Sequence, residues 1–121
     1  ELCRGLGIIK GNITKLLNKN DNNESLILPH IGWNKLLFNQ NSFSKEFKYF
    51  DSCYQYFVHT YGFRSENINN NNIIFSTKYG LNNFISCIKK DNIIGFQFHP
   101  ERSGIEGLNL LGNAIKIITK R

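Results

Sequence analysis

Several features that define whole classes of protein are missing from this chain of 121 residues. It has only three cysteines, Cys3, Cys53 and Cys87, and no two lie close together, so neither a disulfide framework nor a zinc knuckle is indicated. Unpaired thiols predict a reducing, cytoplasmic setting. Apolar runs extend over only a few residues, which excludes a helix that spans a membrane.

Methionine is absent altogether, and the first residue, Glu1, is not an initiator. No basic segment followed by an apolar one opens the sequence, so no targeting leader is indicated. A length of 121 residues corresponds to one domain or part of one. We therefore expect the chain to begin in mid-sequence, as a piece of a larger domain.

Acidic residues are few: 9 Asp and Glu stand against 15 Lys and Arg, which gives a net charge of +6. Such a charge is compatible with nucleic-acid binding, but the basic residues are scattered rather than grouped with aromatic ones. Asparagine occurs 18 times, so a compositional bias explains the charge better. We expect no nucleic-acid partner and keep a basic nucleic-acid binder as a remote alternative. The hydrophobic fraction of 40% is that of a globular protein.

Apolar and β-branched residues predict several strands. Residues 54–61 have aromatic and apolar side chains on both faces, which predicts a strand buried on both sides. Residues 73–77 form a further strand. Residues 84–88 and 93–98 flank Asp91-Asn92, whose tolerance of positive φ predicts a tight hairpin. Shorter extended segments are expected within residues 6–17 and 36–38.

A helix should follow the last strand. Ser103 and Glu106 have the spacing of a capping box, in which a serine side chain caps the helix and a glutamate three residues later completes the cap. Apolar residues then recur at helical spacing, which predicts a buried stripe. This stripe consists of Leu108, Leu111, Ile115 and Ile118.

Between the last strand and this helix lie His99 and Glu101, two residues apart. Residues at this spacing on an extended backbone point to the same side, and Pro100 between them restricts the backbone. A histidine exchanges protons near neutral pH, and a carboxylate on its second ring nitrogen fixes the tautomer. The pair has the form of a catalytic dyad that lacks a nucleophile. The alternative is a surface histidine beside a solvated glutamate.

Four segments resemble a known family. Residues 97–104 (QFHPERSG) resemble the His-Pro-Glu ending of class I glutamine amidotransferases. Residues 29–34 (PHIGWN), 56–61 (YFVHTY) and 5–11 (GLGIIKG) are similar to the glutaminase subunits of imidazole glycerol phosphate synthases within that family. Another class I amidotransferase, serving anthranilate, carbamoyl phosphate or guanylate synthesis, remains an alternative.

The resemblance implies an α/β fold, an open mixed sheet with flanking helices. This chain would supply the later strands, the final hairpin and the C-terminal helix, so that residues 1–121 form the C-terminal part of one amidotransferase domain. The implied reaction is glutamine hydrolysis without a cofactor. Its ammonia passes to a cyclase barrel subunit, which makes imidazole glycerol phosphate and aminoimidazole carboxamide ribotide for histidine biosynthesis.

The resemblance also implies roles for individual residues. His99 matches the general base and acid, and Glu101 matches the carboxylate that orients it. Thr60 and Tyr61 match a segment that lines the glutamine pocket. The subunit interface is matched by Trp33 and Arg102.

Each of these roles has a plainer alternative. Trp33 is compatible with an ordinary core position, and Tyr61 with a core or strand-edge position, since aromatic side chains are mostly buried. His30 and His59 are expected to be structural, each satisfying a hydrogen bond. No histidine or cysteine spacing supports a metal site.

The family's nucleophile lies in a Gly-x-Cys-x-Gly turn, and none of the three cysteines fits that pattern. Cys3 has no glycine or apolar strand before it, Cys53 follows a polar loop, and Cys87 lies inside a predicted strand, where a buried thiol is inert. We therefore expect the nucleophile half to be missing and the chain alone to be inactive. A catalytically dead binding module of the same fold is the remaining alternative.

Overall fold

The computed structural model describes residues 3–64 and 70–120. Eight strands, one α-helix and three short 3₁₀ turns lie within these residues. The strands are β1 (Asn12–Lys15), β2 (His30–Lys35), β3 (Leu37–Phe38), β4 (Tyr54–His59), β5 (Tyr61–Arg64), β6 (Ile73–Tyr79), β7 (Asn82–Lys90) and β8 (Ile93–Phe96). The 3₁₀ turns are Lys45–Phe50, Asn70–Asn72 and Pro100–Arg102, and the helix is α1 (Gly104–Thr119).

The strands form two sheets, and every strand pair among the described residues is antiparallel. The larger sheet has the order β1-β5-β7-β6-β3, and β8 pairs with the C-terminal residues of β7. The smaller sheet is the pair β2-β4. The fold is thus α/β in composition, with α1 as its one described α-helix.

The final hairpin is confirmed. β7 and β8 pair from Cys87 opposite Phe96 to Lys90 opposite Ile93. Asp91 adopts a φ of 55°, as the tight turn requires. The strand expected at residues 73–77 is also present, as β6. Of residues 6–17, only those in β1 form a strand.

The strand expected at residues 54–61 is wrong in two respects. It divides into β4 and β5, with Thr60 between them. β4 is also buried on one face only, because Gln55 and Phe57 are inaccessible while Tyr54 and Val58 are exposed. β4 pairs with β2 in the small sheet and β5 pairs with β1 and β7 in the large one, so the chain changes sheets at Thr60.

The helix is confirmed, but the predicted buried stripe is wrong. Leu108 and Ile115 are exposed, and the buried line is Gly107, Leu110 and Ala114. Small residues at two of these positions let the helix lie close to the rest of the fold. A Cβ on Gly107 would lie 2.1 Å from the main-chain oxygen of Pro100. The core beneath the helix joins Leu110 to Phe57, Phe75 and Phe84 from the sheets and to Phe98, which follows β8.

The capping box is wrong as well. Ser103 precedes the helix, but its side chain makes no capping hydrogen bond to α1. The hydroxyl is already engaged, because it donates to the carbonyl of His99 at 2.7 Å and accepts from the main-chain N–H of Tyr56 at 2.8 Å. No helix among the described residues has the length and apolar character that crossing a membrane requires.

Candidate active site

His99 lies between β8 and the 3₁₀ turn Pro100–Arg102. Its backbone is extended, with φ −107° and ψ 91°, and Pro100 occupies the first position of the turn. The main-chain N–H of His99 donates to the carbonyl of Tyr56 on β4 at 2.9 Å. Its carbonyl accepts from the main-chain N–H of Arg102 at 3.0 Å. Both main-chain groups of His99 are therefore held, and we call residues 99–103 the catalytic turn.

The His99 ring nitrogen Nδ1 lies 3.0 Å from Oε2 of Glu101. A hydrogen bond from its own main-chain amide, and then the bond from His99, hold the pKa of the Glu101 carboxyl below its usual range. The ionised carboxylate only accepts, so Nδ1–H donates, and in the neutral ring Nε2 keeps a lone pair. No described residue forms a hydrogen bond with Nε2, and the His99 side chain is 40% exposed. A ring held in this way can act chemically as a general base through Nε2.

Ser103 is a residue of the site that sequence reasoning placed in a different role. It is 2% exposed, and its hydroxyl joins the carbonyl of His99 to the main chain of Tyr56. The catalytic turn is thereby fastened to β4 at two points. The only sequence signal was a small hydroxyl residue two positions after the His-Pro-Glu motif.

Thr60 and Tyr61 lie where β4 passes into β5. The carbonyl of Thr60 accepts from the main-chain N–H of Leu16, and that of Tyr61 accepts from His59 Nδ1 at 2.8 Å. Tyr61 is 56% exposed, so the alternative of a core aromatic is wrong. At the rise of a β-strand, Thr60 is about 13 Å along the chain from Tyr56, which bonds His99. The fold joins the two segments through β4 and places neither in direct contact with the other.

Trp33 is 55% exposed on β2, so the core alternative is wrong here too. It lies opposite Tyr56 in the β2-β4 pairing, and the two rings meet edge to face at 6.1 Å. The carbonyl of Tyr56 accepts a hydrogen bond from the main-chain N–H of His99. Tyr56 therefore lies between Trp33 and the catalytic turn. Arg102 is exposed in that turn, and its charge contributes to the lowered pKa of Glu101.

Two of the described cysteines, Cys53 and Cys87, offer no thiolate to His99. Burial raises the pKa of the Cys53 thiol, and it raises that of Cys87 well above the usual value. Both remain protonated near neutral pH, and Cys3 is exposed near the start of the chain. Within residues 3–64 and 70–120, no three His, Cys, Asp or Glu side chains are grouped as metal binding would need.

These features agree with comparisons to known proteins. The family model "Glutamine amidotransferase class-I" matches residues 11–117. The chain belongs to the class I glutamine amidotransferase family.

Curated relatives show which members of this family the chain is similar to. The chain is 36% identical over 118 residues to the imidazole glycerol phosphate synthase subunit HisH of Thermotoga maritima, covering 98% of this chain and 50% of the relative. It is 41% identical over 110 residues to the HisH subunit of Aquifex aeolicus, with 91% and 48% covered. For the HisH subunit of Methanocaldococcus jannaschii the identity is 37% over 119 residues, with 95% and 53% covered. The chain thus spans about half the length of the curated relatives it matches.

Proposed function

We propose that the protein containing this chain hydrolyses glutamine and supplies the ammonia to a cyclase subunit that makes imidazole glycerol phosphate. The His99–Glu101 pair, with Nδ1 bonded to the carboxylate and Nε2 exposed, carries this proposal. Membership of the amidotransferase family and similarity to HisH subunits support it. Because these relatives are HisH subunits, they favour this function over anthranilate, carbamoyl phosphate or guanylate synthesis.

The chemistry needs a cysteine, which we place in the half of the domain that this chain does not contain. His99 Nε2 takes the thiol proton, and the thiolate sulfur attacks the side-chain carbonyl carbon of glutamine. The C–N bond breaks, His99 returns the proton to the departing nitrogen, and ammonia leaves behind a thioester. Water, deprotonated by His99, then hydrolyses the thioester to glutamate and restores the thiol. Glu101 holds the ring in one tautomer and stabilises the imidazolium formed at each step.

Glutamine binding is assigned to Thr60 and Tyr61, and the partner interface to Trp33 and Arg102. The exposed position of Tyr61, where β4 passes into β5, supports the first assignment. Exposure of Trp33 beside Tyr56 supports the second, because an interface there would adjoin the catalytic turn. The free thiols suit a reducing cytoplasm, in which we place the reaction.

The test is glutamate release from glutamine by the full-length protein bound to its cyclase subunit. Wild type should turn over, whereas His99→Ala should lose about a hundredfold to ten-thousandfold in kcat, the range for a general acid-base residue. The 121-residue chain alone should release no glutamate. Activity of the His99→Ala complex equal to wild type would contradict the dyad.

Binding to the cyclase is measured in the same preparation by a pull-down. If the full-length wild type binds the cyclase but releases no glutamate, the protein is instead a catalytically dead binding module. Turnover without binding to this cyclase would point to a different class I amidotransferase.

A further inference from the structure

The mechanism leaves two of the three histidines without a role. His30 and His59 face each other across β2 and β4, and His30 Nδ1 lies 2.9 Å from His59 Nε2. His30 is 3% exposed, so its ring is part of the interior. The pair lies directly beside Thr60 and Tyr61, the segment assigned to glutamine.

The hydrogen bonds of this pair extend in both directions. His59 Nδ1 is 2.8 Å from the carbonyl of Tyr61. At the other end, the side-chain nitrogen of Asn34 is 3.2 Å from His30 Nε2 and 2.8 Å from the carbonyl of Lys78 on β6. We call this series, from Tyr61 through His59, His30 and Asn34 to Lys78, the histidine bridge.

Only one arrangement of protons satisfies every bond in the histidine bridge. A carbonyl only accepts, so His59 donates from Nδ1 to Tyr61 and keeps a lone pair on Nε2. His30 must then donate from Nδ1 to that lone pair and keep its own lone pair on Nε2. Asn34 donates one amide proton to that lone pair and the other to the carbonyl of Lys78. Both rings are neutral Nδ1–H tautomers, and an extra proton on either would break a bond.

Rings packed around the bridge leave it little room to move. His30 lies between Tyr79 on β6 and Phe57 on β4, with ring centroids 4.0 and 5.1 Å away. Phe84 on β7 meets both histidines edge to face, at 4.7 Å from His59 and 6.0 Å from His30. Tyr79 is thus the titratable ring that faces the pair from another element. Burial lowers the pKa of His30 to about 4, and it also lowers that of His59, in agreement with two neutral rings.

We propose that the histidine bridge fixes the main chain at Tyr61 and thereby shapes the glutamine pocket, which makes His30 and His59 positioning residues for substrate binding. The inference rests on the proposed function, in which Thr60 and Tyr61 bind glutamine. The chain changes sheets at Thr60: His59 pairs with His30 in the small sheet and Tyr61 with Lys15 in the large one. The bond from His59 to the carbonyl of Tyr61 ties the two sides of this junction together. The bridge joins the junction to β6 through the buried ring of His30, while its end bonds at Tyr61 and Lys78 lie at the surface.

Two substitutions of His59 separate the two ends of its ring. Asparagine places an amide nitrogen where Nδ1 was, so His59→Asn keeps the bond to Tyr61 and loses the one to His30. Glutamine reaches the position of Nε2, so His59→Gln keeps the bond to His30 and loses the one to Tyr61. In the full-length complex with its cyclase, His59→Gln should raise the KM for glutamine about fivefold to tenfold with little change in kcat, as expected for one lost hydrogen bond.

His59→Asn cuts the bridge at the other bond, between His59 and His30, so it should also raise the KM for glutamine about fivefold to tenfold with little change in kcat. Equal KM values for wild type and His59→Gln would overturn the proposal, and so would a kcat loss shared by both variants. A wild-type complex without glutaminase activity would overturn the proposed function itself, and the glutamine role with it.

A measurement independent of activity tests the bridge directly. Nitrogen-15 NMR of the histidine rings should show His30 and His59 as neutral Nδ1–H tautomers at pH 7. A proton on Nε2 of either ring would overturn the arrangement, even if every His59 variant failed to fold.

Discussion

At the scale of single residues, the catalytic turn has two exposed side chains that can do chemistry and one buried side chain that attaches the turn to β4. His99 and Glu101 project into solvent, while Ser103 beneath them is 2% exposed and bonds both His99 and Tyr56. A half-exposed ring would otherwise sample several positions. Because the backbone of His99 is tied to β4, the dyad is held in one geometry.

Glu101 should matter through its charge. Replacing it with glutamine removes the anion but keeps the size, so the imidazolium formed in each step loses its stabilisation. Since Glu101 is 59% exposed, water offsets part of this loss, and kcat should fall about tenfold to a hundredfold rather than by the full factor of a buried triad acid. Steady-state glutaminase kinetics of the full-length complex measure the effect.

The matched control is Glu106→Gln, the same chemical change on an exposed glutamate in the first turn of α1. Its kcat should remain at the wild-type value. If both substitutions reduced kcat equally, the loss would be a general effect of charge, and the specific role of Glu101 would be contradicted.

His30 should make the stability of the fold depend on pH. In the unfolded chain a histidine takes its proton near pH 6.5, whereas folded His30 takes it only near pH 4. The unfolded state therefore binds more protons between these values, so the free energy of unfolding is complete above pH 6.5 and falls as the pH drops toward 4. The loss from this group amounts to about 3 kcal/mol.

Urea unfolding at a series of pH values measures this dependence. His30→Phe keeps an aromatic ring between Tyr79 and Phe57 but removes the titrating group. Its stability curve should therefore be flatter than wild type between pH 6.5 and 4. Parallel curves for the two proteins would show that His30 is not the group responsible.

At the scale of elements, the placement of α1 depends on its smallest residues. Gly107 and Ala114 face inward with Leu110, whereas Leu108 and Ile115 face outward. Helical spacing alone favoured the larger side chains for the buried stripe. The sequence pattern misses this face because close packing against the catalytic turn requires the absence of a side chain, which hydrophobicity does not measure.

Gly107→Ala should destabilise the fold. The added Cβ would lie 2.1 Å from the Pro100 oxygen and 2.6 Å from Ser103 Cβ, so the helix must move away from the catalytic turn. The cost should be about 1–3 kcal/mol, typical of overpacking. Gly112→Ala is the matched control: it lies on the same helix with nothing within 4 Å of the added Cβ.

Gly112→Ala should stabilise the helix by about 0.5–1 kcal/mol, because alanine has the higher helix propensity. Chemical denaturation of both variants measures the two effects, which have opposite signs. A destabilised Gly112→Ala or an unchanged Gly107→Ala would contradict the packing of α1.

Local chemistry explains which elements could be predicted from sequence. The β7-β8 hairpin depends on the turn at Asp91-Asn92 and on its flanking apolar residues, all within one short segment. The break at Thr60 depends on strand pairing: β4 pairs with β2, whereas β5 pairs with β1 and β7. Residues on both sides of Thr60 are equally aromatic, so no local signal marks the change of sheet.

The candidate site divides in the same way. His99 and Glu101 are two residues apart, so their pairing follows from the backbone between them. The role of Ser103 depends on Tyr56, which is distant in the sequence, and the histidine bridge joins residues from β2, β4, β5 and β6. These contacts form only when the sheets assemble, so the spacing of residues in the sequence does not predict them.

At the scale of the whole molecule, one face of the β2-β4 pair is open and apolar. Ile31, Trp33 and Tyr54 are each more than half exposed there, and Val58 lies opposite Ile31. An apolar face of this kind, next to a basic side chain such as Arg102, is typical of a protein interface. It supports the placement of the cyclase beside the catalytic turn.

Trp33→Ala should therefore weaken binding of the cyclase by at least about tenfold, as for a tryptophan at the centre of an interface. Tyr49→Ala is the control, since Tyr49 is 85% exposed in the 3₁₀ turn Lys45–Phe50, outside the β2-β4 face. Titration of the full-length variants with the cyclase gives the two dissociation constants. An unchanged constant for Trp33→Ala would remove this face from the interface.

Trp33 is also the single tryptophan of the sequence. Its indole is therefore the one source of tryptophan fluorescence in the chain, and it lies half in water on the face where a partner should bind. Covering that face would move the emission to shorter wavelengths and shield the ring from a dissolved quencher such as acrylamide. The chain thus carries its own optical reporter of complex formation, which needs no attached dye.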